Sequence, residues 1–195
     1  GGEPGPPLEV PSGGGEPCAV SGGRDARGDH GPAYVGLVDA AEEELLLATP
    51  YFLPDRRLRQ ALIRAATRGV RTVVAVPRQS DLAWFKHGSR RRYQPLLDAG
   101  IEIWERCDRM MHAKVGVVDS RLAAVGSANL NRLSFYGNSE TLLLTTSPTV
   151  VSDIRRLIDS ECGAVADRLD PDSWPHHPER ERLKELVAST VGLVF

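Results

Sequence analysis

Residues 111–140, MHAKVGVVDSRLAAVGSANLNRLSFYGNSE, contain two short apolar runs joined by a polar turn. Alternation over 112–118 predicts a strand that carries His112 and Lys114 on one face and small or β-branched residues on the other. A turn centred near Ser120 would fold the second apolar run back antiparallel to the first. The stretch therefore predicts a hairpin with polar side chains at one end.

The hairpin brings residues 126–129 opposite Lys114 and His112. His112, Lys114, Ser127 and Asn129 should then form one patch, where Gly126 leaves room for a ligand or a second backbone to approach. Asp119 falls on the other parity of the strand and is expected to cap the turn. The sequence thus predicts a compact cluster of donors around one histidine.

This set of side chains suits a phosphate. Lys114 and the Asn129 amide can donate to anionic oxygens, Ser127 adds a hydroxyl, and His112 can act as nucleophile or proton carrier near neutral pH. An ordinary core hairpin is the alternative, but burying a lysine and a histidine together costs several kcal/mol unless they serve a ligand. No carboxylate cluster has metal-ligand spacing, so the chemistry calls for no metal or cofactor.

Strands and helices alternate along the rest of the chain, which is typical of an α/β layered sheet. Asp55 should cap one helix and Gly69 should end it. The predicted strands are 18–20, 45–50, 70–77, 101–105 and 141–146, and the predicted helices are 33–44, 55–69, 93–100 and 148–169.

Composition divides the chain into three parts. Residues 1–15 are rich in Gly and Pro and predict a disordered linker, residues 16–169 form the domain, and residues 170–195 form a C-terminal tail. The tail predicts an amphipathic helix that packs on the domain or inserts shallowly into a membrane. The linker and the absence of a first Met suggest that the chain is part of a longer product.

The charge balance limits the possible partners. The 195 residues carry a formal net charge of -2, so no overall basic field points to nucleic acid, which is disfavoured as a partner. Three cysteines without a C-x-x-C pair suggest neither a disulfide framework nor a thiolate metal site. No run approaches the ~18 apolar residues that cross a bilayer.

The spacing His112-x-Lys114-x4-Asp119-x6-Gly126-Ser127-x-Asn129 resembles the HKD motif of the phospholipase D superfamily, H-x-K-x4-D-x6-G-S-x-N, at every defined position. The flanks ATPYFLPD (48–55), GVRTVVAVP (69–77), SRRRYQPLLDAGIEIWE (89–105) and NRLSFYGNSE (131–140) are similar to the C-terminal half of bacterial cardiolipin synthases. The similarity extends from about Cys18 to the end of the chain.

The resemblance implies a phospholipase D-like α/β/α sandwich, with a central mixed β-sheet flanked by helices. It also implies phosphatidyl transfer through a phosphohistidine, in which two phosphatidylglycerols give cardiolipin and glycerol. His112 would be the nucleophile or the general acid and base, and Glu140 the carboxylate that follows the motif and orients a histidine. The implied catalytic positions are His112, Lys114, Asp119, Asn129 and Glu140, and the implied phosphate-binding positions are Lys114, Ser127 and Asn129.

The family builds its active site from two HKD motifs, and this chain has one. The second motif would come from an N-terminal half of a longer chain or from a homodimer mate. The implied substrate is an anionic phospholipid, met by a peripheral domain at the cytoplasmic side of the cell membrane. Two alternatives remain open: a phosphodiesterase or nuclease acting as a single-motif homodimer, and an inactive half-site or scaffold.

Overall fold

A central β-sheet organises the part of the chain that the computed structural model describes, residues 18–22 and 30–174. Its strands are β1 (Cys18–Gly22), β2 (Glu44–Ala48), β3 (Arg71–Pro77), β4 (Glu102–Arg106), β5 (Val115–Val118), β6 (Leu122–Gly126), β7 (Glu140–Thr145) and β8 (Ala166–Arg168). The helices are α1 (His30–Asp39), α2 (Arg56–Thr67), α3 (Ala83–Arg90), α4 (Gln94–Asp98), α5 (Arg132–Tyr136) and α6 (Pro148–Glu161).

The sheet is mixed, as predicted. Its strands lie in the order β1-β7-β6-β5-β2-β3-β4-β8. Strands β2, β3 and β4 are parallel, and the other neighbouring pairs are antiparallel. Parallel neighbours need crossover connections, and α2 and the α3–α4 segment supply them.

Central strands are buried on both faces. In β2, Leu45 and Leu47 pack in one core, with residues of α1 and α2, while Leu46 and Ala48 pack in a second core that includes Ile158 of α6. Period-two alternation sends neighbouring side chains to opposite faces, so one strand contributes to both cores. The α/β/α sandwich predicted from the sequence is therefore confirmed.

Helix α2 (Arg56–Thr67) lies within the predicted range 55–69, with the predicted cap before it and the predicted stop after it. The Asp55 carboxylate accepts a hydrogen bond of 2.9 Å from the backbone N–H of Leu58, which satisfies a donor at the helix start. After the helix, Gly69 adopts a φ of 93°, a left-handed conformation that favours glycine.

One end of the sheet collects the polar positions of the hairpin. Ala48, the last residue of β2, lies opposite Val115, the first residue of β5. Strand β3 ends there too because it is parallel to β2, while β6 ends and β7 begins beside them. We call this the site end: the end at which β2, β3 and β6 finish and β5 and β7 begin.

Asp119 lies at the opposite end of β5, in the three-residue turn 119–121. Its side chain is 3% exposed. The carboxylate accepts hydrogen bonds from the backbone N–H groups of Glu42, Glu43 and Glu44, at 3.0, 2.8 and 2.8 Å. Asp119 therefore joins the hairpin turn to the start of β2.

Three predicted boundaries were wrong. The helix predicted over 33–44 spans His30–Asp39, because Glu44 instead begins β2 and pairs with β3. The strand predicted from His112 begins at Val115, because β2 ends opposite Val115 and Pro50, just beyond, has no N–H to extend the ladder. The helix predicted over 148–169 ends at Glu161, because residues 166–168 instead form β8 and pair with β4. Helices α3 and α5 were not predicted.

Some expectations fall on residues outside the described ranges. The linker 1–15 and the amphipathic helix of the tail lie there, apart from residues 170–174 at the start of the tail. There Trp174 is buried and stacks on Tyr93, with ring centroids 5.8 Å apart. Among the described residues, no helix combines the length and the apolar character needed to cross a bilayer.

We expect Asp119→Asn to lower the free energy of unfolding by about 1.5–3 kcal/mol, the usual worth of a hydrogen bond to a charged group. Burial raises the pKa of Asp119, but the three backbone N–H groups and Arg121 outweigh it, so the pKa is lowered on folding. Its stabilisation is therefore present above the ordinary aspartate pKa of about 3.9 and is lost as the pH falls through the lowered value.

Urea unfolding at a series of pH values measures this difference. The gap between the wild type and Asp119→Asn should be full near pH 7 and shrink in acid. Asp153→Asn is the control, because Asp153 is 55% exposed and pairs only with Arg156 on the surface of α6. It should change stability by less than about 0.5 kcal/mol. An equal loss in both variants would contradict the proposed anchoring by Asp119.

Candidate active site

His112 and Lys114 form a direct pair at the site end, in the segment just before β5. The Lys114 ammonium lies 3.2 Å from His112 Nδ1 and 3.1 Å from the His112 carbonyl oxygen. An ammonium can only donate, so Nδ1 is the acceptor in this contact. The other ring nitrogen, Nε2, lies outside the contact.

The environment of Lys114 suits an anion. Burial lowers the pKa of Lys114, and the negative charge of Glu140 offsets part of that effect. A half-buried ammonium with few charged neighbours gains from an incoming anion, which would restore the solvation that burial removed. A phosphate at this position would contact the ammonium and lie next to the imidazole.

Ser127 and Glu140 form a second pair beside the first. Ser127 Oγ donates to a Glu140 carboxylate oxygen at 2.5 Å and accepts from the backbone N–H of Thr141 at 3.0 Å. The Asn138 amide donates to the other Glu140 oxygen at 3.2 Å. Within the described residues, no carboxylate is hydrogen-bonded to the His112 ring, so Glu140 holds Ser127 here and does not orient His112.

Gly126 allows two backbones to approach closely. A Cβ at this position would clash with the carbonyl oxygen of Thr141 and lie 3.2 Å from Leu142 Cα. The backbone N–H of Gly126 donates to the Lys114 carbonyl at 3.1 Å, which continues the hairpin ladder past β5. The room that glycine leaves is therefore filled by β7, which brings Glu140 to Ser127.

Asn129 lies between β6 and α5, and one of the two polar atoms of its side-chain amide is hydrogen-bonded. Its Nδ2 donates to Ser134 Oγ at 3.4 Å, while its Oδ1 is buried with no hydrogen-bond partner among the described residues. Rotating the Asn129 amide by 180° exchanges its N–H₂ donor and its oxygen acceptor. The unpaired position can therefore present a donor or an acceptor to a ligand. Asn131 supports the segment by capping α5 through the Ser134 N–H, at 2.9 Å.

The structure separates Asp119 from the other motif residues. The four residues of β5 lie between the Asp119 turn and the His112–Lys114 segment, at about 3.3 Å per residue. This placement agrees with the parity argument, which expected Asp119 to cap the turn, and gives it no contact with the phosphate-binding groups.

Tyr51 flanks His112 and is hydrogen-bonded to Asp81, and neither residue was singled out from the sequence. The Tyr51 ring meets the His112 ring edge-on, with centroids 6.4 Å apart, and its hydroxyl donates to Asp81 at 2.5 Å. Burial and Asp81 raise the pKa of Tyr51 to about 12, so the hydroxyl stays a donor. The only available signal was the stretch ATPYFLPD, whose Tyr follows β2 at the site end.

The arrangement can bind a phosphodiester and transfer its phosphoryl group. An ammonium contacts the imidazole, and a hydroxyl and an amide follow β6 at the same end of the sheet, which provides donors for developing negative charge. Within residues 30–174, no three His, Cys, Asp or Glu side chains are grouped so as to hold a metal ion.

The domain is an α/β/α sandwich, and one end of its mixed sheet carries a His-Lys pair, a serine and an asparagine. These features are typical of phospholipase D-like domains. The family model described as "Cardiolipin synthase, PLD-like domain" matches residues 34–161. The chain belongs to this family.

Curated relatives at moderate identity carry the same family name. "Probable cardiolipin synthase YwiE" of Bacillus subtilis is 31% identical over 182 residues, which are 93% of this chain and 36% of that protein. "Cardiolipin synthase A" of Yersinia pseudotuberculosis is 33% identical over 153 residues, which are 78% of this chain and 31% of the relative. The chain therefore spans about a third of the length of these relatives.

Solved structures with low sequence identity share the fold. Nuc of Salmonella typhimurium, a phospholipase D family member, aligns with a TM-score of 0.67 at 18% identity, over 79% of this chain and 99% of Nuc. The phosphatidylserine synthase of Haemophilus influenzae aligns with a TM-score of 0.62 at 16% identity, over 89% of this chain and 47% of that enzyme. The chain thus shares its fold with these structures.

We expect Gly126→Ala to destabilise the fold by about 1–3 kcal/mol, because the new methyl group must push β7 away from β6. The displacement should also separate Ser127 from Glu140. Thermal unfolding checks the first effect, and NMR signals of the Ser127 and Thr141 amides check the second. Gly163→Ala is the control, since a Cβ there meets only ordinary contacts of 3.6 and 3.9 Å.

Proposed function

We propose that this domain is the second HKD half of a phosphatidyltransferase of the cardiolipin synthase type, which converts two phosphatidylglycerols to cardiolipin and glycerol. The observation that carries the proposal is the Lys114–His112 pair beside Ser127 and Asn129, in a chain of the cardiolipin synthase family. The relatives' names and their roughly threefold greater length support a longer, two-motif enzyme.

In the proposed reaction, a histidine nitrogen attacks the phosphorus of one phosphatidylglycerol. The bond from phosphorus to the glycerol oxygen breaks, and glycerol leaves with a proton from a second histidine. The terminal hydroxyl of a second phosphatidylglycerol then attacks the phosphohistidine and returns its proton to the second histidine. The phosphorus–nitrogen bond breaks and cardiolipin forms.

The residues of this chain would take defined parts in that sequence. His112 is one of the two histidines, and Lys114 and Asn129 hold the phosphate oxygens. Ser127 contributes its hydroxyl and is positioned by Glu140. We assign Asp119 a supporting part, because its carboxylate is occupied by the backbone of β2. We place the domain at the cytoplasmic side of the cell membrane, where it meets the lipid headgroups peripherally.

A second candidate is a phosphodiesterase in which two copies of this chain share one site. The alignment over 99% of Nuc favours it, since one such domain makes up that whole chain. Water would then resolve the phosphohistidine in place of a lipid hydroxyl. The two candidates use the same residues and differ in the source of the second histidine.

We expect His112→Ala to abolish turnover, because either role of His112 is required in both candidates. In the full-length protein, the measurement is formation of cardiolipin and glycerol from phosphatidylglycerol vesicles. Arg156→Ala on the remote helix α6 is the control and should keep wild-type activity, and both variants should unfold like the wild type in urea. Turnover by the His112→Ala variant would exclude the motif from the mechanism.

The solution mass of the 195-residue chain, measured with hydrolysis of a phosphodiester reporter, separates the two candidates. If the chain is half of a two-motif site, it should be an inactive monomer, because a lone histidine lacks its partner in acid–base catalysis. An active dimer whose activity falls on dilution would instead support the shared site. An inactive dimer would contradict the homodimeric phosphodiesterase.

A further inference from the structure

Most arginines of the described residues fall into two groups according to their partners. In the first group, the guanidinium groups are paired with carboxylates. Arg64 pairs with Asp39 at 2.9 Å, and Arg71 pairs with Glu44 at 2.7 Å and with Glu102 at 3.1 Å. The same holds for Arg78, Arg90, Arg106, Arg109, Arg121, Arg155, Arg156 and Arg168.

A second group has no such pairing. Among residues 30–174, the guanidinium groups of Arg56, Arg57, Arg59, Arg92 and Arg132 make no hydrogen bond or ion pair with the protein, whereas those of their counterparts elsewhere do. Like charges that lie close together without partners repel each other, so such a cluster is costly unless an external anion meets it.

These unpaired arginines share one region. Arg56, Arg57 and Arg59 are in the first turn of α2, which begins at the site end just after the segment that carries Tyr51. Arg132 begins α5, which follows the motif residue Asn129. Burial lowers the pKa of Arg92, and the positive charges of Arg59 and Arg91 lower it further. The next residue, Tyr93, contacts Phe52 in the segment before α2, with ring centroids 6.1 Å apart.

Tyr136 connects the two helices of this region. Its hydroxyl donates to Asp55, the N-cap of α2, at 2.9 Å. Burial and Asp55 raise the pKa of Tyr136, while the charges of Arg57 and Arg132 oppose the rise, which places both arginines near the same ring. The carboxylate of Asp55 is occupied by Leu58 and Tyr136 and is not paired with these arginines.

Exposed apolar side chains lie in the same region. Leu133, next to Arg132 on α5, is 50% exposed, and Leu82, between β3 and α3, is 39% exposed. Both belong to segments that leave the sheet at the site end. A surface that combines unpaired arginines with protruding leucines matches the boundary of a bilayer, where headgroups are charged and the layer beneath is apolar.

We propose that Arg56, Arg57, Arg59, Arg92 and Arg132, with Leu133 and Leu82, form a docking surface for an anionic phospholipid membrane. The surface borders the His112 site, so docking would hold the site against the headgroup layer that contains the phosphodiesters. This inference deepens the proposed function and rests on it for the identity of the substrate, but binding itself is measured without catalysis.

Nucleic acid fits this surface less well. A phosphate backbone would also attract the arginines, but protruding leucines gain nothing from it, and the chain as a whole carries a formal charge of -2. Base stacking would call for exposed aromatic rings, whereas Tyr51 and Tyr136 are tied to Asp81 and Asp55 through their hydroxyls.

The test is sedimentation of the chain with phosphatidylcholine vesicles, with and without phosphatidylglycerol. We expect binding only to the anionic vesicles, with an affinity that falls as salt is added. The triple variant Arg56→Gln, Arg57→Gln, Arg132→Gln should bind on the order of 100-fold more weakly, at roughly fivefold per arginine near an anionic surface. Leu133→Ser should weaken mainly the part of the binding that survives high salt.

A matched triple variant, Arg64→Gln, Arg156→Gln, Arg168→Gln, removes the same charge from side chains that are 52%, 75% and 57% exposed but paired elsewhere. It should bind the anionic vesicles nearly as the wild type does. Equal losses of vesicle affinity in the two triple variants would mean that binding depends only on net charge, and the docking surface would be wrong. The docking surface would also be wrong if the wild-type chain does not bind anionic vesicles.

The design separates this proposal from the proposed function. The His112→Ala variant should bind vesicles like the wild type. If the protein binds anionic vesicles but forms no cardiolipin, the proposed function is wrong and the docking surface is still supported. If the first triple variant both forms cardiolipin and binds anionic vesicles like the wild type, the docking surface is wrong and the proposed function is unaffected. If the first triple variant changes the solution mass but not vesicle binding, the surface meets a protein, and the proposal is wrong.

Discussion

The Asp119 carboxylate fixes the register on which the site depends. It binds three successive backbone N–H groups at the start of β2, while the N–H of Asp119 donates to the Glu44 carbonyl at 2.9 Å. Because side chains alternate along a strand, a slip of one residue between β5 and β2 would exchange the two faces of the hairpin. His112 and Lys114 stay at the site end because this contact, at the other end of β5, prevents the slip.

The same hairpin then brings its second half into contact with β7. The close approach at Gly126 allows β7 to pair with β6 as far as Leu142, and Glu140 lies two residues before Leu142, at the start of that strand. Ser127 is consequently held from two sides, by the Glu140 carboxylate and by the Thr141 N–H. A backbone contact that excludes any side chain at position 126 therefore positions a polar pair of the site.

Function depends on what the site end leaves unsatisfied. The Asn129 amide has a buried atom without a partner, Lys114 is half buried beside His112, and the neighbouring arginines lack carboxylates. Other arginines of the described domain are paired with carboxylates, as in the buried contact of 2.8 Å between Arg106 and Glu161. Unpaired cationic groups concentrated in one place are expected where an anion completes the structure, and this connects the proposed chemistry with the proposed membrane contact.

The sequence by itself determined the elements whose signals are local. Alternation and periodicity were sufficient for β2, β3 and α2, and the cap at Asp55 and the stop at Gly69 came from residue types with specific backbone roles. The fixed spacing from His112 to Asn129 was sufficient to place these residues near one another. Parity along the strand also indicated that Asp119 lies away from them.

Only the tertiary structure decided the features that depend on a neighbour distant in sequence. Strand β5 starts at Val115 because β2 ends there, and residues 166–168 form β8 because β4 offers a free edge. Glu140 bonds Ser127 and not His112 because β7 approaches through Gly126, and Tyr51 reaches His112 because two strand ends lie side by side. Local patterns carry no information on these contacts, since packing energy, not propensity, selects them.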